Sequence, residues 1–228
     1  MDEQTSWFAR QIAELKDIGP ELWEATLDTL YMVAGSTLFS LVLGFFLAVV
    51  LITAHPHGLK PRPNFYRILD FFVNMLRSFP FLILMVALIP FTRIVAGTSI
   101  GSSAAVVPLV IAATPFAARL IEGSFLEVDS GVIEAARSFG ATNIQIVFKV
   151  LLPEALPSII LNIAILAITL LGYSAMAGTV GGGGLGDLAI KYGYHRFKAE
   201  VMLYAVVILV VIVQFIQFYA NVRYKKIR

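Results

Sequence analysis

Four stretches of this chain contain no charged residue: Leu30 to Thr53, Ile94 to Ala118, Ala155 to Gly186 and Val201 to Val222. A hydrocarbon layer about 30 Å thick takes roughly 20 apolar residues in helix to cross, so each stretch is long enough to span. Lipid has no water to satisfy backbone amides and carbonyls, which leaves the helix as the form such long runs must take. With 58% hydrophobic residues and a mean hydropathy of +0.83, the chain lies outside the range of soluble folds. A fifth, shorter candidate runs from Ser78 to Thr92 between Arg77 and Arg93, whose aliphatic stems can carry their charges to the headgroups. Counted as spanning, it gives five crossings; taken as re-entrant or interfacial, it gives four and puts both ends on one side.

Charge placement favours five. Lys60, Arg62 and Arg67 follow the first span, Arg137 and Lys149 follow the third, and Arg223, Lys225, Lys226 and Arg228 follow the last. The positive-inside rule then puts the C-terminus in the cytoplasm of a bacterial inner membrane and the N-terminus outside. Helices are expected near 29–53, 72–93, 103–121, 155–178 and 200–222, preceded by an acidic extracytoplasmic extension over 1–25 and followed by a basic tail over 223–228. Seven acids stand in the first 28 residues (Asp2, Glu3, Glu14, Asp17, Glu21, Glu24, Asp28). That is not the pattern of a secretory leader, and the segment is expected to stay on the mature protein. Basic residues cluster beside the spans, which points to anionic lipid as their partner and not to nucleic acid. There is no cysteine, which excludes disulfides, thiolate metal sites and a cysteine nucleophile.

In the first span Ser36, Ser40, Gly44 and Ala48 recur every four residues, a ridge on which another helix can pack closely. Pro80, Pro90, Pro108 and Pro115 lie in or beside the second and third spans, where they can mark kinks around a pathway or ordinary bends. The long segment Glu122 to Glu154 reads as a hairpin of two short helices. Asp129 or Ser130 caps the first, over Val132 to Phe139, and Gly140 suits the left-handed turn that ends it. Thr142 and Gln145 form a capping box for a second, Asn143 to Leu151, which Pro153 is expected to break. Ile133, Ala136, Phe139, Ile144, Val147, Phe148 and Leu151 are too apolar for a solvated loop, so the element is expected to bury a surface against protein.

The stretch EAARSFGATNIQIVFKVLLP, Glu134 to Pro153, resembles the EAA motif of ABC-importer permeases: Glu-Ala-Ala, a glycine four residues on, and Leu-Pro at the end. The resemblance implies the type I importer fold, with this loop as the coupling helices that dock on a cytoplasmic ATPase. Glu134, Ala135, Ala136, Gly140, Leu152 and Pro153 would be the coupling residues. Small alanines allow close docking, and Glu134 offers a charge to a basic or amide partner. Three segments, Arg77 to Gly101, Pro115 to Thr142 and Leu170 to Phe197, are similar to permeases that import methionine. That likeness implies a homodimer with five helices per subunit, two ATPase subunits inside and a lipid-anchored methionine-binding protein outside. ATP and magnesium would belong to the ATPase, leaving no cofactor in this chain. An importer of another amino acid or small organic anion shares the same motif.

Plotted at 100° per residue, Ser158, Asn162, Thr169, Tyr173 and Met176 fall in one sector of the fourth long span. Pathway lining and interhelix hydrogen bonding both account for Asn162 and Thr169. Tyr173 and Met176 lie in the segment that carries the methionine-permease likeness, and a soft sulfur beside an aromatic ring suits a thioether cargo. Gly181, Gly183 and Gly186 match GxGxxG by spacing, yet they follow a membrane span, and Asp187 stands where a phosphate-binding loop needs Lys. The glycines are expected to let the external loop pack closely, with Asp187, Lys191 and His195 near a docking protein. His55 and His57 flank Pro56 without a third ligand and are read as a polar turn, not a metal site. A membrane enzyme would need paired carboxylates or a metal cluster in the spans. A secondary transporter would need buried ionisable groups and an inverted repeat.

Overall fold

The computed structural model describes residues 2–227, with side chains from Asp17 onward, and contains helices and no strand among them. The acids at 2, 3 and 14 therefore lie outside the described side chains. Helix α1 (Asp2–Ala54) runs unbroken from the acidic segment through the first span, so the expected boundary at residue 25 is not a structural one. Ile18, Leu22 and Ala25 are already buried, packed on Leu185, Leu188, Val201 and Ala205. The second crossing follows as α2 (Pro63–Arg77), α3 (Phe81–Ala87) and α4 (Ile89–Ala96). Then come α5 (Ser102–Leu126), α6 (Ser130–Ser138), α7 (Asn143–Ile146), α8 (Leu152–Gly178), α9 (Gly184–Leu188) and α10 (Ala199–Ile227).

Four of these elements are long and apolar enough to cross a membrane, and α2 with α3 makes a fifth if the pair is one span. The sequence predicts a single helix over 72–93; the chain instead bends by 95° between α2 and α3. Pro80 is the cause: it has no amide to donate and its ring clashes with a continuing turn, while Phe79 before it is pushed out of the helical region. Pro108 and Pro115, by contrast, are buried inside an unbroken α5. Proline permits a break, and packing decides whether one forms.

The core is built on α1 and α5. Ser36, Ser40 and Ala48 of the small-residue ridge are fully buried, and at Gly44 even a methyl group would collide with Ala117 of α5. The hydroxyl of Ser40 donates across the contact to the carbonyl of Val110 at 3.4 Å. Large exposed side chains on α2 and α10, among them Phe71, Phe72, Phe215 and Phe218, complete an apolar outer surface. In a soluble protein such a surface would be unstable; in lipid it is solvated.

Candidate functional site

At the end of the bundle that carries Gly140, α6 is held by local chemistry legible in the sequence. Asp129 caps it, its carboxylate accepting from the Gly131 amide at 2.7 Å. Gly140 closes it at φ +79°, where a side chain would be strained. Thr142 and Gln145 then form the full capping box of α7, with the Thr142 amide donating to Gln145 Oε1 at 2.8 Å and the Gln145 amide to Thr142 Oγ1 at 3.3 Å. Beyond α7 the expected break at Pro153 does not occur. Val147–Leu151 forms a widened π turn that runs directly into α8, with Pro153 in the first turn of that helix. A π turn moves the backbone outward where the proline ring would strike the preceding carbonyl, so the rod stays continuous.

The seven apolar residues of this element divide. Val147 and Leu151 are buried, and Ile133 and Ala136 pack with them against Phe125 and Ile146. On the other face Phe139 is 93% exposed and Ile144 73%, with Val132 and Phe148 also open. Glu134 and Ala135 are exposed alongside them, Leu152 is half-buried in the inner cluster, and Pro153 is exposed. Arg137 ties α6 to the turn after α1, its Nη2 donating to the Leu59 carbonyl at 2.8 Å. An apolar face with one carboxylate, held out on a rigid helix, is shaped for a protein partner.

Deeper in, the predicted stripe on α8 separates. Asn162 lies between α8 and α5, its amide donating to the Leu120 carbonyl at 3.1 Å and to Ser124 Oγ at 2.8 Å. Ser158 donates to Glu127 Oε2 at 2.9 Å. Thr169 and Tyr173 instead line a cavity of about 210 Å³ with Arg77, Phe81, Phe116 and Ala112. Tyr173 stacks on Phe81 with ring centroids 4.5 Å apart, and the Thr169 hydroxyl donates to Ile165 of its own helix at 2.8 Å. Met176 stands one turn higher, 48% exposed and outside this cavity.

Two charged features were not anticipated. Arg77, expected to reach the headgroups, faces this cavity, with its guanidinium 5.8 Å from the Phe116 ring centroid. Nearer the α6 end, Glu122, expected in a loop, is 2% exposed inside α5, because that helix continues to Leu126. It receives Arg119 Nη1 at 2.6 Å and the Tyr66 hydroxyl at 3.1 Å, and Arg119 also pairs with Asp70 of α2. The three-residue spacing of Arg119 and Glu122 places them on one helix face and could have been a signal; Asp70 and Tyr66 come from 49 or more residues away.

At the opposite end α9 folds back on the top of α8. A methyl at Gly186 would lie 2.2 Å from the Ala175 carbonyl, so this glycine is required by close approach and not by phosphate binding. Thr29 of α1 accepts the Leu185 amide at 2.9 Å. Glu21, Glu24, Asp28, Asp187 and Lys191 line an open cavity here of about 350 Å³. The Tyr192 phenol, hydrogen-bonded to the Glu21 carboxylate, is held above the ordinary tyrosine range.

An apolar helical bundle with a cavity, carrying an exposed apolar helix at one end, is an architecture suited to a membrane-embedded transport subunit. This chain belongs to the family of binding-protein-dependent transport system inner membrane components, which matches residues 40–226. It is 55% identical over 196 residues to the probable D-methionine transport system permease protein MetI of Vibrio cholerae, covering 86% of this chain and 87% of that one. It is 44% identical over 197 residues to the methionine import system permease protein MetP of Bacillus subtilis, covering 86% and 89%. A chain of the MetNI methionine ABC transporter, solved in an inward-facing conformation in the CY5 native crystal form, superposes with a TM-score of 0.89. That match has 42% identity and covers all of both chains.

Proposed function

We propose that this chain is the permease subunit of an ATP-driven importer for methionine. It pairs with a second copy to enclose the path, with two ATPase subunits on the cytoplasmic face and a methionine-binding lipoprotein outside. The observation that carries this reading is the continuity of the rod. The exposed face at α7 and the cavity wall at Thr169 and Tyr173 belong to one chain of helix turns from Asn143 to Gly178, and α6 joins that rod through the turn at Gly140. The names of the similar permeases supply the cargo.

ATP and magnesium are held by the ATPase, and hydrolysis occurs there. Closure of the two ATPases displaces α6. Arg137 carries that movement to the turn after α1, and the π turn carries it into α8, so the paired bundles rock between inward-open and outward-open states. N-terminus outside and C-terminus inside is the orientation this requires, since it places α6 on the ATPase side.

Two measurements test the reading. Uptake of labelled methionine into vesicles holding the full complex is expected to need ATP and to be blocked by unlabelled methionine. ATP-dependent uptake of another amino acid or organic anion in its place would keep the transport role and overturn the cargo. Glu134→Lys is expected to insert and fold normally but to lose most of the ATP hydrolysis stimulated by the binding protein. Full stimulation in that variant would remove Glu134 from the ATPase contact.

A further inference from the structure

Arg77 is a cation without an anion. It ends α2, whose 15 residues put it about 21 Å along the helix from Pro63, and its side chain is exposed in the single copy. Its guanidinium has no hydrogen bond or ion pair among the described residues, and its one recorded contact is the face of Phe116 at 5.8 Å. Arg119, three residues beyond Phe116 on α5, shows how the same side chain is treated when its role is structural: Asp70 and Glu122 neutralise it. No acidic residue lines the cavity that Arg77 faces. The α2 carbonyl end offers the guanidinium a partial negative charge, and the aromatic face adds a cation–π contact, so the site is tolerable when empty. Neither satisfies the planar fork of donors, which is matched to a carboxylate. An ionisable group in a membrane-crossing segment that lacks a protein partner is a pathway candidate by default.

We propose that Arg77 anchors the carboxylate of the cargo inside the membrane, and that Phe81, Phe116 and Tyr173 hold its apolar tail. The ligand class is a small solute with one carboxylate and an uncharged side chain, and a cavity of about 210 Å³ has room for such a solute and not merely a water. A thioether side chain packs well on aromatic rings. This assignment rests on the reading of the cavity as part of the import path and gives that path its chemical selectivity. The 95° bend after α2 has a function on this account: it turns the chain beyond Arg77 so that Phe81 of α3 stacks on Tyr173 of α8 at the same cavity.

The test uses the complete transporter in proteoliposomes, with its ATPase and binding protein, and records ATP hydrolysis and labelled methionine uptake together. Arg77→Gln is expected to hydrolyse ATP within twofold of the parent while uptake per ATP falls at least tenfold. Arg77→Lys should recover part of the loss, since it restores the charge without the fork. Unchanged uptake per ATP in Arg77→Gln would overturn the proposal. So would hydrolysis and thermal stability falling in parallel with uptake, with Arg77→Lys no better than Arg77→Gln, because that marks a structural residue. A parent complex that carries a different carboxylate would overturn only the methionine cargo, and the same Arg77→Gln comparison would then be made with that solute. Transport of a solute with no carboxylate would overturn the Arg77 assignment.

Discussion

Two polar regions lie inside the spans of this protein, and they are built on opposite terms. The lower one, between α2, α5 and α8, is closed. Arg119 meets two carboxylates, Glu122 also receives Tyr66, and Asn162 spends its amide on Leu120 and Ser124. The upper one, around Thr169, Tyr173 and Arg77, is open: a cavity stands where the partners would be, and its cation is unpaired. In a low-dielectric interior a polar group must be matched or else held for something that comes and goes. The lower region therefore joins helices, and the upper one leaves a cavity that the proposed import path would use. This contrast separates residues that the α8 stripe placed together.

The largest effect expected from the contrast is at Arg119. Arg119→Ala leaves Glu122, with a side chain 3% exposed, beside Asp70 without a counter-ion. Removing one member of a buried ion pair costs roughly 3–5 kcal/mol, so the purified variant should melt far below the parent and insert poorly. Arg77→Gln, which unpairs nothing, should melt with the parent. Equal melting of all three proteins would erase the distinction between a closed and an open region.

What could be read from the sequence was local. The capping box of α7 needs only Thr142 and Gln145, the end of α6 needs Gly140, and the α1 ridge needs a four-residue period; each is a contact between near neighbours. The two short helices between Asp129 and Leu151 were legible for the same reason. The bend after α2 was not, because Pro80 and Pro108 look alike in sequence, and only the second is buried in a continuous helix. The bend hid the cavity, since it sets where Phe81 lies relative to Arg77 and Tyr173. Met176 failed differently: its angle around α8 matches that of Thr169, but its height does not. Helical periodicity reports angle alone, and depth depends on where the other helices end.

A smaller effect, about 1 kcal/mol, is expected at Asn162. Asn162→Leu removes two interhelix hydrogen bonds, and such bonds in membranes average about 0.6 kcal/mol with a ceiling near 1.7. Melting should fall slightly, and uptake per folded complex should stay at the parent level. A variant that is fully stable yet transports nothing would move Asn162 into the path and extend the open region downward.

The smallest change in stability belongs to Thr169→Val. The two side chains have the same shape, and the lost hydroxyl bonds only to Ile165 of its own turn, so stability should shift by no more than about 0.5 kcal/mol. Function should not be as tolerant. The hydroxyl lines the cavity beside Tyr173, and one hydrogen bond to cargo, worth about 1 kcal/mol, corresponds to roughly a fivefold fall in uptake per ATP. Full uptake with unchanged melting would confine the polar contacts of the cargo to Arg77 and Tyr173. A drop in melting would instead make Thr169 part of the helix contact, and the boundary between the two regions would rise by one turn of α8.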